Sequence, residues 1–181
     1  MASDIPAFGV AFAATLRHEG GALDLTASDR GNWTGGKVGS GSLRGSRFGI
    51  SAAAYPDLDI AGLTLADAET IYRRDYWTAI RGDGLPAPLA VMVFDSAVNN
   101  GVEAAATLLQ ASVGAVEDGV IGPATLAAVD AWAARRGVSG LCTEFLARRI
   151  VLMASIPEWG RDALGFARRL AAQPYNAMTA T

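Results

Sequence analysis

The chain has 181 residues, of which 51% are hydrophobic and 18% are charged, and its formal net charge is −3. This length and composition indicate one ordinary globular domain and exclude a disordered chain. The slightly negative charge gives no basic field that would attract nucleic acid, and the single cysteine, Cys142, excludes an intrachain disulfide.

Two further observations concern membranes and export. No apolar run approaches the length of about 18 residues that indicates a transmembrane helix. Residues 1–16 lack a basic start and carry Asp4, so we expect no secretory signal peptide. The sequence therefore predicts a protein that is made in the cytoplasm and inserts into no membrane.

The first predicted element is a helix over residues 7–19. Phe8, Phe12 and Leu16 recur at helical spacing, and two glycines then stop the pattern. Residues 22–49 contain seven glycines and break all periodicity. Long irregular loops inside compact domains are usually functional, so we expect this glycine-rich segment, as a loop or a small β-hairpin, to border the site.

After this segment the chain is predicted to be helical almost throughout. Ser51 is expected to cap a short helix that ends near Tyr55, and the Thr64–Asp67 pair resembles a capping box that opens a helix to about Ile80. Prolines and glycines then mark the remaining helices, and the chain from Pro174 onward is predicted to be a frayed tail. These remaining helices cover residues 89–99, 103–113, 123–136, 139–154 and 158–172. The predicted fold class is mainly α.

Glu19 is the first candidate for chemistry because it occupies the last turn of the first predicted helix. The negative end of the helix dipole disfavours an ionised carboxylate there, and partial burial would act in the same direction. A glutamic acid that keeps its proton near neutral pH can protonate a glycosidic oxygen. A glutamate before a glycine is also common on ordinary helix surfaces, so its position alone does not identify Glu19 as a catalytic residue.

Asp29 lies ten residues further on, inside the glycine-rich segment. Two carboxylates that flank a sugar are the usual equipment of a glycosidase, one as acid and the other as base or nucleophile. The pair of Glu19 and Asp29 therefore indicates glycoside hydrolysis, and we expect it to need no metal or cofactor.

Several segments together resemble the glycoside hydrolase family 108 lysozymes, which are found among phage endolysins and bacterial secretion-activator proteins. The resemblance extends in order over about residues 8–170. It rests on the segments His18-Glu19-Gly20-Gly21, Phe48-Gly49-Ile50-Ser51, Tyr72-Arg73-Arg74-Asp75-Tyr76-Trp77, Phe94-Asp95-Ser96-Ala97-Val98-Asn99-Asn100-Gly101 and Asp118-Gly119-Val120-Ile121-Gly122-Pro123-Ala124-Thr125-Leu126, and on the helix from Trp159 to Arg169.

The resemblance implies an N-acetylmuramidase that hydrolyses the β-1,4 bond between N-acetylmuramic acid and N-acetylglucosamine in peptidoglycan. It assigns Glu19 as the catalytic acid and Asp29 as its partner. It also implies a two-lobed, lysozyme-like domain over residues 1–173, with the catalytic motifs in residues 8–101. Residues 102–173 resemble a peptidoglycan-binding segment, and residues 174–181 are expected to be a flexible tail.

A hydroxyl residue completes the motif of the family, and two positions here fit it. Thr34 lies 15 residues after Glu19, which matches the spacing in related phage lysozymes that hold a catalytic water with a Glu/Asp/Thr set. Ser46 keeps the motif's distance to Gly49-Ile50-Ser51. The sequence does not decide between Thr34 and Ser46.

Trp33, Tyr55 and Trp77 are candidates for stacking on sugar faces, although aromatic residues at helix edges more often belong to the core. Asn99 is a candidate for binding an N-acetyl group or for a structural role at a helix end. Asp95 is expected to be a buried polar anchor, since it lies within an apolar helix.

Two rival functions use the same residues differently. A lytic transglycosylase would use Glu19 and leave an anhydro-muramyl end, whereas a non-catalytic module would only bind the wall. With one histidine and one cysteine, a histidine-rich zinc site is excluded. We expect a monomer that binds peptidoglycan and no nucleic acid, and that reaches the periplasm by holin-type release or by delivery with a particle.

Overall fold

The computed structural model describes residues 6–19, 21–157 and 159–178. Within these, it does not describe the side chains of His18, Glu19, Arg161, Asp162 and Tyr175. The chain divides into two compact units. We call Phe12–Tyr72 the loop unit, and Met1–Ala11 with Arg73–Thr181 the helical unit.

The loop unit begins within α1 (Ala7–Glu19), which has the predicted bounds. A short 3-10 helix follows at Arg30–Asn32. Strands β1 (Ser46–Arg47) and β2 (Ile50–Ser51) then pair in antiparallel register, with Ser46 opposite Ser51. The glycine-rich segment thus contains the small β-hairpin that the sequence allowed.

The turn of this hairpin consists of Phe48 and Gly49, which have φ angles of 54° and 77°. Two-residue hairpin turns favour positive φ at both positions because this matches the twist of the strands. Phe48 adopts such a φ only at a cost, and its neighbours hold it in place. The Tyr72 hydroxyl donates to the Phe48 carbonyl oxygen at 3.0 Å, and the Arg47 guanidinium lies 5.1 Å from its ring centroid.

Ser51 does not cap a helix, so that prediction is wrong. It is the last residue of β2, and its carbonyl oxygen accepts hydrogen bonds from the N–H groups of Ala54 and Tyr55. Its side chain also accepts from Ala54 N–H at 3.4 Å. The serine therefore closes a turn, an alternative to a helical cap that short hydroxyl side chains also support.

Helix α2 (Leu65–Tyr72) starts at the predicted capping box, which is confirmed. The Thr64 N–H donates to the Asp67 carboxylate at 3.0 Å, and the Asp67 N–H donates to the Thr64 hydroxyl at 3.2 Å. The chain stays helical beyond α2 as a π-helical turn over Arg73–Trp77, which ends three residues before the predicted Ile80. The backbone N–H of Thr78 then reaches back to the Arg73 carbonyl oxygen at 2.9 Å, which ends regular α-helix there.

The helical unit contains five long helices among the described residues. Helix α3 (Ala87–Asn100) packs against α4 (Val102–Val113), α6 (Val138–Ser155) and α7 (Trp159–Met178), while α5 (Pro123–Arg136) packs on α4 and α6. Their starts and ends agree with the predicted bounds to within two residues, except for the C-terminal end of α7. Residues 89–97 of α3 are all buried, so this helix forms the centre of the unit's core.

Asp95 lies on buried α3 and contacts two arginines from other helices. Its carboxylate accepts from Arg149 Nη1 at 2.6 Å and from Arg169 Nε at 3.1 Å. Burial lowers the pKa of Arg149, and the charge of Asp95 opposes that shift. The prediction of a buried polar anchor is confirmed.

The prediction of a frayed tail from Pro174 is wrong, since α7 continues through it to Met178. Pro174 has no N–H group to donate, so the helix lacks one hydrogen bond of the regular α-helical pattern at this point. Asn176 and Ala177 are buried, which anchors the last turn. No helix in the described part of the chain has both the length and the apolar character required to cross a bilayer.

Candidate active site

Most of the predicted site residues fall within the loop unit. Glu19, Asp29, Thr34, Ser46 and the aromatic residues Trp33 and Tyr55 all lie in Phe12–Tyr72, whereas Trp77 and Asn99 lie in the helical unit. The loop unit is therefore where the geometry of the candidate site is built.

Glu19 is the last residue of α1, as predicted, and its side chain lies outside the described residues. Its backbone position is at the carboxyl end of a 13-residue helix. The partial negative charge at such an end disfavours a second negative charge nearby. The location thus retains the feature that made Glu19 a candidate acid.

Asp29 is exposed and caps the 3-10 helix that follows it. Its Oδ1 accepts the Gly31 N–H at 2.8 Å. This bond fixes the direction of the carboxylate relative to the backbone while the group stays accessible to solvent. An exposed, oriented carboxylate can accept a proton or face a developing positive charge.

Asn32 organises the Asp29 loop, and reasoning from the sequence missed it. The residue is fully buried, and its Nδ2 donates to the Thr26 carbonyl oxygen at 3.1 Å. Its backbone N–H donates to the Asp29 carbonyl oxygen at 3.2 Å, and its carbonyl oxygen accepts from the N–H groups of Arg44 and Gly45 at 3.0 Å each. One asparagine thereby fixes the two ends of the glycine-rich segment to each other.

The chain forms a hairpin-like loop from Trp33 to Leu43. Trp33 forms a bridge with Leu43, and its indole N–H donates to the Ala27 carbonyl oxygen at 2.8 Å, so the half-buried ring is held in place. The Thr34 hydroxyl oxygen accepts the Ser42 N–H at 2.9 Å. The Thr34 hydroxyl therefore has a structural role, since it links the two sides of this loop.

Ser46 lies in β1, half-buried, and its hydroxyl has no hydrogen-bond partner among the described residues. Its backbone pairs with Asp24: the Asp24 N–H donates to the Ser46 carbonyl oxygen at 2.8 Å, and the return bond is 2.9 Å. Gly45 permits this approach, since it has a φ of +81° and any Cβ there would clash with the Asp24 carbonyl oxygen. Of the two candidate hydroxyls, only that of Thr34 therefore has a hydrogen bond within the described part of the chain.

Asp24 is a second carboxylate of this unit that the sequence reasoning did not select. Its Oδ1 accepts from the Thr26 hydroxyl at 2.6 Å and from the Thr26 N–H at 2.8 Å. These bonds hold the pKa of Asp24 below its usual range, so the group is ionised at neutral pH. The spacing Asp-x-Thr, which favours an Asx turn, was the available signal.

Trp77 is only 1% exposed, so its prediction as a sugar-stacking residue is wrong. Its ring lies 5.5 Å from that of Phe8 and 5.8 Å from that of Phe94, and its indole N–H donates to Asp83 at 2.8 Å. All its faces are used by the core. Trp77 is therefore a core residue, which was the alternative to sugar stacking.

Asn99 is exposed, and its Nδ2 donates to the Asp95 carbonyl oxygen at 2.6 Å, which gives it a structural role on α3. Tyr55 is half-buried and engaged in contacts of its own. Sugar binding by either residue stays a prediction. Among the described residues, no group of three or more His, Cys, Asp or Glu side chains is placed to hold a metal ion.

Known proteins resemble this chain in two ways. Residues 12–101 match the model of the family described as Glycosyl hydrolase 108. Among solved structures, the chain is similar to one titled "Structure of Brucella abortus SagA", with 29% identity, coverage of 94% of this chain and 93% of that chain, and a TM-score of 0.71. No curated protein matches the chain. The mainly α, lysozyme-like fold predicted from the sequence is thereby confirmed.

Proposed function

We propose that the chain is a glycoside hydrolase, and specifically an endolysin-type N-acetylmuramidase. The match of residues 12–101 to the model of glycosyl hydrolase family 108 supports this assignment. The bond it cuts is the β-1,4 linkage between N-acetylmuramic acid and N-acetylglucosamine in peptidoglycan. The observation that carries the proposal is that the matched range contains Glu19, at the end of α1, together with the whole loop from Asp24 to Ser46.

In this mechanism Glu19 is the general acid. Its proton passes to the glycosidic oxygen as the bond to the anomeric carbon breaks, so the leaving sugar departs as a neutral alcohol. The position of Glu19 at the carboxyl end of α1 supports the role, because the helix dipole disfavours the ionised form before the reaction.

The positive charge that develops on the sugar ring needs a fixed negative partner, and we propose Asp29 for this role. Its Oδ1 is bound by the Gly31 N–H, which orients the group at no cost during the reaction. Asp24, which its Thr26 bonds keep ionised, adds a second negative charge to the same loop. Water then adds to the anomeric carbon, and its proton passes to a carboxylate.

We propose Ser46 as the hydroxyl that holds the attacking water, in preference to Thr34. The Thr34 oxygen already accepts the Ser42 N–H, whereas the Ser46 hydroxyl has no partner among the described residues. The backbone pairing of Ser46 with Asp24 brings this hydroxyl residue next to the segment that follows Glu19.

Mass spectrometry of digested peptidoglycan tests the proposal. A muramidase adds one water per cut, so every new end is a reducing muramic acid that borohydride converts to the alditol. Anhydro-muramyl ends, lighter by one water and inert to borohydride, would identify a lytic transglycosylase instead. Binding to walls without any soluble product would mean that the chain only binds the wall.

A further inference from the structure

The loop unit contains a groove of about 460 Å³ that the proposed chemistry does not use. We call it the leucine groove, and its position within Phe12–Tyr72 places it in the same compact unit as Glu19. The residues that line it include Leu23, Leu25, Leu43, Arg44, Asp57 and Asp59.

Three leucines give the groove an apolar surface that faces solvent. Leu23 and Leu25 are 37% and 51% exposed, and Leu43 is 37% exposed, while buried Ile60 lies at the base. Leu23 and Leu25 flank Asp24, whose backbone pairs with Ser46 like a strand, so both leucines point to the same side. Clustered exposed leucines lining a concave surface indicate a binding site.

Two arginines link the chain segments that surround the groove. Arg44 Nη1 donates to the Pro56 carbonyl oxygen at 3.2 Å. Arg47 donates from Nε to the Gly21 carbonyl oxygen at 3.1 Å and from Nη1 to the Ala61 carbonyl oxygen at 2.9 Å. These bonds tie together the three chain segments that form the walls, so a ligand meets a preformed surface.

The lining of the groove carries charges of both signs. Asp57 and Asp59 are exposed, and Arg44 is the only cation in the lining. Asp59 accepts the Gly62 N–H at 3.2 Å, whereas Asp57 has no hydrogen-bond partner among the described residues. A peptide with small apolar side chains that carries both ammonium and carboxylate groups complements this surface.

We propose that the leucine groove binds the peptide stem that muramic acid carries in peptidoglycan. This proposal rests on the muramidase function proposed above. The methyl groups of the stem's alanines lie on the leucines, and the ammonium group of its diamino acid pairs with Asp57. The glycan itself is a poorer fit, since the lining offers no aromatic face for a sugar ring. The groove begins four residues after Glu19, close along the chain to the proposed site of cleavage.

The test compares two soluble substrates: glycan strands with their stems, and the same strands after an amidase has removed them. We expect wild type to cleave the stem-bearing strands with a kcat/KM at least about tenfold higher than the stem-free strands. Leu25→Ser/Leu43→Ser should lose about tenfold on the stem-bearing strands only, the effect of about 1.4 kcal/mol of lost apolar contact. Val38→Ser is the matched control, because Val38 is 59% exposed on the same glycine-rich segment and lies outside the groove.

A second experiment tests the contact between Asp57 and the ammonium group. Asp57→Asn should lower kcat/KM about threefold on stems with free amines, as expected for an exposed ion pair, and should have no effect once those amines are acetylated. Equal rates of wild type on stem-bearing and stem-free strands would overturn the proposal and leave the muramidase function standing. Cleavage of neither substrate would overturn both. A groove variant that changes the mass of the protein in solution, with unchanged substrate preference, would assign the groove to self-association and overturn the proposal.

Discussion

The side-chain amide of Asn32 donates to the carbonyl oxygen of Thr26 at 3.1 Å, and Asn32 is fully buried within a loop that is mostly exposed. The backbone of the same asparagine binds Asp29 on one side and Arg44 and Gly45 on the other. The direction of Asp29 therefore depends on one fully buried polar residue.

Replacing Asn32 should loosen this loop and lower activity. Asn32→Ala leaves the Thr26 carbonyl without its donor, so we expect a loss of about 1–3 kcal/mol in the free energy of unfolding. We also expect kcat to fall more than KM rises, because the orientation of Asp29 matters in the transition state. Urea unfolding and steady-state kinetics measure the two effects, and Asn32→Ala with wild-type kcat would show that the loop needs no such anchor.

Ser46 and Thr34 should behave differently when their hydroxyls are removed. Ser46→Ala breaks no hydrogen bond among the described residues, so we expect an unchanged melting temperature and a kcat reduced by about a hundredfold. Thr34→Val removes the acceptor for Ser42 N–H, so we expect a loss of about 1 kcal/mol in stability with a smaller effect on kcat. The reverse pattern would assign the water-holding role to Thr34.

The Asp95–Arg149 pair should be the most sensitive point of the helical unit. Their side chains are 9% and 1% exposed, and Asp95→Asn removes the negative charge that both Arg149 and Arg169 contact. We expect a loss of about 3–5 kcal/mol in the free energy of unfolding. Glu144→Gln is the control, because its pair with Arg148 is solvent-exposed and should contribute less than about 1 kcal/mol. Similar losses in both variants would show that burial does not set the strength of the Asp95 pair.

Cys142 should be a slow nucleophile in the native protein. Burial raises the pKa of its thiol to about 11, so at pH 8 only roughly a thousandth of it is thiolate. Because this pKa is raised on folding, the neutral thiol's contribution to stability is complete below the unfolded pKa and is lost as the pH rises through about 11. Alkylation by iodoacetamide should accelerate about tenfold per pH unit towards that value. Since the chain has one cysteine, the signal is unambiguous, and native rates at pH 8 equal to those in urea would contradict the expectation.

Local signals in the sequence determined most helix boundaries correctly. Gly101 and Gly137 end helices, Pro123 starts one, and the Thr64–Asp67 box opens α2 as predicted. Each of these signals acts within one turn of the chain, so it can be read without tertiary structure.

The errors concern residues whose state depends on distant partners. Trp77 is a core residue because Phe8 and Phe94 surround it, and neither lies near it in sequence. Asn32 stands in a polar, glycine-rich stretch that gives no hint of burial. Helix α7 passes Pro174 because the buried Asn176 and Ala177 outweigh the local preference to stop.

The most direct test of the whole account is the activity of Glu19→Gln on purified peptidoglycan. The amide has the same shape and no acidic proton, so we expect an unchanged circular dichroism spectrum and a kcat at least about a thousandfold lower, measured as reducing ends released. Glu19→Gln that releases reducing ends at the wild-type rate would show that another group donates the proton, and the mechanism proposed here would be wrong.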